Sequence, residues 1–319
     1  MRRRIPPDAA LSRPASTISN GFRLNPGPSG RRPARLAALA AAAASACVPA
    51  AVAQEPAPVP APEPASPSPP AAAPGSVFDP AASGRVLADT RVDAAGAVSV
   101  LVRPAQLPQV TVAGASSPAL DGDLLAYVDA TGIQVVRWST GEALARVDGP
   151  VGKPALDWPL LAYIRTFPSG GRRLEVRDLA SGADRVVTSV DPSTDLGRPA
   201  LRDGLVAWHV AAGRRSQIRI APAAGRSGSR IVASSVTGLQ INPSIAYGRV
   251  LWVEHAASTS YLRLRAVKGG RVRTLATLAG PRRILWTTAL GATTAFATRW
   301  DTTTRRAVLV SRTWRRAAR

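Results

Sequence analysis

The chain has 319 residues, with 41 Lys+Arg against 20 Asp+Glu, 45% hydrophobic and 5% aromatic residues, one Cys and two His. One cysteine excludes an intramolecular disulfide, a four-cysteine zinc site and a Cys-x-x-Cys redox pair, and two histidines exclude a His-rich metal centre. The net charge of +21 is carried by arginine, since only Lys153 and Lys268 are lysines, and its excess lies at the two ends of the chain, so it reflects composition as well as any polyanion partner.

Residues 1–36 hold eight Arg and one Asp. Arg31, Arg32 and Arg35 then precede an uncharged run from Leu36 to Ala53, which breaks at Pro49 and ends in Ala51-Val52-Ala53 before Gln54. A basic flank, an apolar core and small residues at −3 and −1 form the three parts of a secretory signal peptide, which predicts cleavage after Ala53. Ala44-Ser45-Ala46-Cys47 offers the competing reading, a lipid anchor at Cys47, although Ala44 stands where a lipobox has Leu. The same run is too weakly apolar to make a good membrane span, and no multi-span membrane segment is present in the sequence. Residues 1–30 precede the basic flank as an extension and are set aside with the signal. Residues 54–75 are a Pro/Ala spacer, which favours extended polyproline II and no packed core. The organisation expected is a 1–53 extension and signal, a 54–75 linker, and one β domain over 76–319.

From residue 76 the pattern is of short β-type runs separated by Gly, Asp and Pro. Pro118-Ala119-Leu120-Asp121-Gly122 leads to Tyr127; Pro154-Ala155-Leu156-Asp157 leads to Tyr163; Pro199-Ala200-Leu201 leads to Trp208; and Pro243-Ser244-Ile245 leads to Trp252. In each the aromatic residue stands nine positions after the proline, and weaker copies begin at Pro80 and at Thr287, the latter leading to Phe296. Spacings near 40–45 residues, each enclosing about four strands, are those of propeller blades, which must stack on their neighbours to bury both faces. The fold class expected is all-β, a β-propeller of six, or five, four-stranded blades. The repeated aromatic side chain is expected in the core between blades.

Asn242-Pro243-Ser244-Ile245, then Gly248-Arg249-Val250-Leu251-Trp252, together with the element Asp178-Leu179-Ala180-Ser181-Gly182, resembles the exported TolB-type, WD40-like β-propeller repeat. Its first turn carries Leu-Asp-Gly or Ala-Tyr-Gly where TolB-type repeats commonly carry Ser-Pro-Asp-Gly. The resemblance implies a propeller of the periplasm or cell surface that serves as an interaction platform, while some propellers of similar shape are enzymes or lids on peptidases.

No Gly-x-Ser-x-Gly elbow and no glycine-rich phosphate loop is present, and neither lysine lies in such a context. Asp121 and Asp123 flank a turn glycine, where acids are expected for conformational reasons. Glu254 and His255 are neighbours on a strand and so face opposite ways. Asp191 and Asp195 could offer oxygen to calcium, but their spacing is not that of an EF-hand. The reading is therefore of a non-catalytic module without cofactor or metal, whose binding face is one mouth of the ring, formed by the longer loops at Phe167–Arg173, Asp191–Arg198 and Ala211–Ser216. Its candidate residues are His209, His255, Glu254, Arg172, Arg173, Asp191, Asp195 and Arg214. A second candidate, an anion patch, comprises Arg282, Arg283, Arg305, Arg306, Arg315 and Arg316, interleaved with tryptophans. Behind an export signal the partner expected is a protein or an anionic envelope polymer rather than nucleic acid. The alternatives are a lyase or hydrolase with its site in the central channel, or a structural cell-surface component.

Overall fold

The computed structural model describes residues 72–225 and 228–314. The signal, the cleavage point after Ala53, Cys47, most of the Pro/Ala spacer, and Arg315 and Arg316 lie outside the described residues. Among those described there is no helix long and apolar enough to cross a membrane.

Among the described residues every regular element is a strand. The first blade contains β1 (Val77–Ser83), β2 (Val86–Val92), β3 (Val98–Pro104) and β4 (Val110–Ala113). The second contains β5 (Ser116–Asp121), β6 (Leu124–Val128), β7 (Gly132–Arg137) and β8 (Glu142–Asp148). The third contains β9 (Val151–Asp157), β10 (Leu160–Thr166), β11 (Arg172–Asp178) and β12 (Asp184–Val190). In the fourth the inner strand is split into β13 (Thr194–Leu196) and β14 (Ala200–Arg202), both paired to β15 (Leu205–Ala212), followed by β16 (Arg215–Pro222) and β17 (Arg230–Ser235). The fifth contains β18 (Gly238–Ala246), β19 (Arg249–Ala256), β20 (Thr259–Ala266) and β21 (Gly269–Ala279). The sixth has three strands among the described residues, β22 (Arg283–Leu290), β23 (Thr294–Asp301) and β24 (Arg306–Thr313).

All pairings are antiparallel, and the inner strands pack in a cycle that returns from β22 to β1. The protein is a six-bladed β-propeller. Its core is divided into five apolar clusters, each spanning two adjacent blades. The repeated aromatic sits there: Tyr163, Trp208 and Trp252 are fully buried, while Tyr127 and Phe296 are half-buried. Sheets with two apolar faces have no other way to leave water, because a lone blade would expose one of them.

Antiparallel order places the start of each inner strand, the turn between the second and third strands, and the link to the next blade at one end of the ring. We call this the upper mouth. The turns that close the first hairpin and the third-to-fourth turns lie at the lower mouth. There the hairpin turns are tied blade to blade. Ser83 Oγ accepts the Gly122 amide at 2.9 Å, Asp121 Oδ2 accepts the Trp158 amide at 2.9 Å, and Asp157 Oδ2 accepts the Gly204 amide at 3.1 Å. Arg202 spans the same acids, at 2.5 Å from Asp121 and 3.7 Å from Asp157. The turn acid Asp121 therefore has a structural use beyond turn geometry.

The seam between the last and first blades is closed by short-range bonds from the residues ahead of β1. The Ala73 amide donates to the Arg305 carbonyl at 2.9 Å, the Ala307 amide donates to Ser76 Oγ at 3.2 Å, and the Phe78 and Trp300 rings meet at 5.7 Å.

Replacing Asp121 by Ala removes an acceptor shared by a backbone amide and a partly buried guanidinium, and should lower unfolding free energy by about 1–3 kcal/mol. Urea unfolding of the two proteins reads it; an unchanged midpoint would show that the turn ties are incidental.

Candidate functional site

Each inner strand is interrupted at one equivalent place. The register of β1, β5, β9, β18 and β22 against its partner slips there, and in the fourth blade the strand breaks between β13 and β14. The interruption falls on the repeated proline, or on Thr287 in the sixth copy, and on the residue before it. Proline lacks the amide that an unbroken ladder would need, and a bulge leaves one residue unpaired and re-aims its side chain. The preceding residues are Asp79, Ser117, Lys153, Arg198, Asn242 and Trp286. Four of them hold a left-handed backbone, with φ of 46°, 52°, 54° and 47° for Asp79, Ser117, Lys153 and Asn242. A non-glycine residue there is strained by roughly 1–2 kcal/mol, less for Asp and Asn.

These six residues occupy equivalent places near the upper mouth, and some of them touch. Ser117 Oγ donates to Asp79 Oδ2 at 3.3 Å, and Asn242 Nδ2 donates to the Trp286 carbonyl at 3.3 Å. Arg198 reaches across from the fourth blade to the first, where Nη1 is 3.5 Å from Asp79 Oδ1, and its Nη2 donates to the Pro118 carbonyl of the second. Blades one and four face each other across a six-fold ring, so this side chain bars the channel. Below the bar the channel is lined by Pro80, Ala81, Ala155, Pro199, Ile245 and Ala289 among others, with a volume of about 80 Å³.

Behind the ring a second set of groups is fixed. Asp195 is held through both oxygens, by Arg172 Nη1 at 2.9 Å and by His209 Nε2 at 3.0 Å, while Arg172 Nη2 also donates to the Thr194 carbonyl at 3.0 Å. His209 Nδ1 accepts the Asn242 amide at 3.1 Å, so the proton of a neutral ring is on Nε2 and is given to Asp195. The ring is buried, and Gly197 lies flat against it: a Cβ at 197 would fall 1.5 Å from His209 Cε1. His209 is thus a strut between the fourth and fifth blades. Burial holds its pKa below 6.5, opposed by Asp195, whose own pKa is lowered first by the hydrogen bond from His209.

Lys153 differs from its neighbours. Its side chain is exposed, and it makes no hydrogen bond or ion pair among the described residues. The protein around its exposed side chain still displaces part of its hydration and so lowers its pKa; Arg172 and Arg198 add to that effect, while Asp195 and Asp79 oppose it. Arg198 Nη1 is buried without a hydrogen-bond acceptor, the contact to Asp79 being a longer ion pair.

Of the residues chosen from sequence, His209, Asp195 and Arg172 form one cluster. Arg173, the strand neighbour of Arg172, is not joined to it: its Nη1 is 3.9 Å from the buried Glu175 and its guanidinium lies over the Phe167 ring at 4.7 Å. Asp191 is occupied by its own loop, accepting the Ser193 amide at 3.0 Å, and is not joined to Asp195 in a ligand set. Among the described residues no group of three or more His, Cys, Asp or Glu could hold a metal ion. Arg214 is in the turn between β15 and β16, on the same mouth. Glu254 pairs with Arg263 at 2.9 Å, whereas His255 turns to Ser260 Oγ at 2.9 Å and to the Trp286 ring at 6.3 Å. Burial lowers the His255 pKa, and its Nε2 is buried without a partner. Arg282, Arg283, Arg305 and Arg306 come together at the upper rim of the sixth blade, where the Arg282 carbonyl accepts the Thr302 amide at 2.7 Å and Asp301 stands 3.8 Å from Arg283. The pre-proline ring was not among the sequence candidates, although its six residues are readable as the position before each repeat proline.

A closed ring of six blades with an ionic upper mouth defines the class, a β-propeller with its polar groups gathered at one end. No family model matches the chain, and no curated protein matches it. Solved structures similar to it include the β-propeller domain of the Trilobed protease from Pyrococcus furiosus, at 11% identity and TM-score 0.48, covering 76% of this chain and 94% of that one. TolB from Acinetobacter baumannii is similar at 13% identity and TM-score 0.47, covering 67% of this chain and 59% of that one. Acylaminoacyl peptidase from Pyrococcus horikoshii is similar at 12% identity and TM-score 0.48, covering 75% of this chain and 52% of its own. The propeller assignment rests on the six sheets and their cyclic packing.

The buried His209 gives a pH dependence of definite sign. Its folded pKa is depressed, so unfolding takes up a proton, and the stability it contributes is full above 6.5 and falls as pH drops below that value. Denaturant midpoints measured from pH 7.5 to 5 should decline, and His209→Gln should flatten the decline; an equal slope in both proteins would remove His209 from the cause.

Proposed function

We propose that this chain is an exported, non-catalytic propeller that serves as a binding module of the cell envelope, engaging a protein or an anionic envelope polymer at its upper mouth. Residues 1–53 would be the extension and signal, cleaved after Ala53, residues 54–75 a spacer, and residues 76–319 the binding domain. The observation that carries this reading is the convergence at one mouth of the pre-proline ring, the Arg172–Asp195–His209 cluster and the arginine rim. Rigid scaffolds commonly carry function where loops and strand ends meet in this way. The exposed Trp286 beside His255 adds an aromatic anchor of the kind enriched in binding surfaces.

The competing enzyme reading would draw on the same convergence of Asp79, Asp195, His209 and Lys153. Its difficulty is that both oxygens of Asp195 and both nitrogens of His209 are spent on internal bonds, so neither is free to move a proton at a substrate. The resemblance to the TolB-type repeat supports the envelope setting and an interaction role.

Two measurements test the proposal. The mature protein from fractionated native cells should begin at Gln54 and lie outside the cytosol; an intact N-terminus in the cytosol would overturn export. Binding to purified envelope fractions should fall about tenfold for Arg214→Glu with Lys153→Glu, the loss of about 1.4 kcal/mol. Lys268→Glu, in the β20–β21 turn of the lower mouth, should leave it unchanged. Equal binding by both variants, or turnover of an envelope polymer, would sink the binding-module reading.

A further inference from the structure

We infer that the upper mouth is a receptor for a single carboxylate group, held between the Lys153 ammonium and the Arg198 Nη1, which has an ion pair to Asp79 but no hydrogen-bond acceptor; this deepens the proposed binding role and rests on it. Six structurally equivalent positions precede the repeat prolines, and they carry an acid, a hydroxyl, an amine, a guanidinium, an amide and an indole. The positions that follow are nearly uniform, Pro-Ala-Leu or close to it, as packing requires. Variation greatest at the bulge is what a ring shaped for an asymmetric ligand would show. Backbone strain at four of the six points the same way. Glycine would adopt φ near 50° without penalty, yet Lys153 and Ser117 stand there, so the side chain is retained against the backbone's preference.

The chemistry follows from which donors lack acceptors. At this end of the channel Asp195 has both oxygens engaged, and Asp79 is shared between Ser117 and the loose contact to Arg198. Lys153 has three donors and no partner among the described residues, and Arg198 Nη1 is buried with no hydrogen-bond acceptor. A buried donor such as Arg198 Nη1 is normally satisfied, while the exposed Lys153 ammonium can trade water for a ligand. Counting Lys153, Arg172 and Arg198 against Asp79 and Asp195, with His209 neutral, leaves one positive charge. That balance suits a monoanion with two acceptor oxygens. A phosphate dianion would leave uncompensated negative charge beside Asp79 and Asp195.

The composition supplies an unusually direct test, because Lys153 and Lys268 are the only lysines and sit at opposite mouths. The full chain is acetylated briefly with an amine-reactive ester and the two lysines are read by mass spectrometry, with and without an oligoglucuronate, an oligoglutamate peptide or a polyphosphate of matched length. A carboxylate polymer should slow labelling of Lys153 by the factor 1 + [L]/Kd, about tenfold at ten times Kd, and leave Lys268 unchanged. Which of the two carboxylate probes protects identifies a sugar or a peptide source. The variant Lys153→Gly should melt at or above the parent temperature, since its backbone favours glycine, and should lose the affinity. Polyphosphate protecting as well as either carboxylate, no probe protecting, or equal protection of both lysines would each overturn the inference. If envelope binding still depends on the arginine rim while Lys153 stays fully reactive, the binding module survives and the carboxylate receptor does not.

Discussion

The interruption ahead of each inner-strand proline governs the geometry of both core and mouth. An unbroken inner strand would continue its ladder to the end of the blade and point alternate side chains along a regular pleat. The bulge removes one residue from that count, so Ala119, Ala155 and Ala200 fall in the interblade core, while the residue before the proline is left unpaired at the channel. Small residues beside the proline let six strands approach closely. Close approach is what allows one arginine to reach the opposite blade. The mouth chemistry is therefore a by-product of how the channel is narrowed.

Electrostatics at this mouth has been arranged by burial and by hydrogen bonds more than by exposed pairs. Surface ion pairs such as Arg146 with Asp148 contribute about 0–1 kcal/mol and can be lost without consequence. The Arg172–Asp195–His209 chain differs because its histidine is buried and each polar atom named has a partner, so removing one member strands another. Gly197 is part of that arrangement in the steric sense, since any side chain would occupy the imidazole's place. Much of the arginine excess is likewise structural. Arg185 donates to the Pro222 and Ala223 carbonyls of the next blade at 2.6 and 2.7 Å, and Arg230 and Arg265 also bond carbonyls of neighbouring blades. A guanidinium holds its donors in a rigid planar fork, which suits it to bridging carbonyls of neighbouring strands.

The architecture was legible because its cause is periodic. A proline followed nine residues later by an aromatic recurs because every blade needs the same narrow inner strand and the same bulky wedge, and Tyr163, Trp208 and Trp252 are buried as that logic requires. The long loops expected at the same mouth are short in the structure, five residues between β10 and β11, three between β12 and β13 and two between β15 and β16, because Arg172–Arg173, Thr194–Leu196, Ala211–Ala212 and Arg215–Ser216 carry on the strand ladders. The ring of Asp79, Ser117, Lys153, Arg198, Asn242 and Trp286 was harder to see for a physical reason. Periodicity reveals sameness, and this ring consists of differences at a constant place. The link between Asp195 and His209 joins strands 14 residues apart through a broken inner strand, which no spacing rule anticipates.

The seam between the sixth and first blades joins residues 231 apart in the chain, through the Ala307 amide and Ser76 Oγ. It is the contact that closes the circle of inner strands. A growing polypeptide can therefore stack its first five blades as an open arc, each on the one before and with Arg198 and Arg202 reaching back to earlier blades, while the circle waits for the final turn of β23 and β24. Contacts of such long sequence separation form late and slowly, because the loop entropy is spent before they reward it. Until then the channel has no sixth wall, and the cross-channel arginine has a partner but no enclosure.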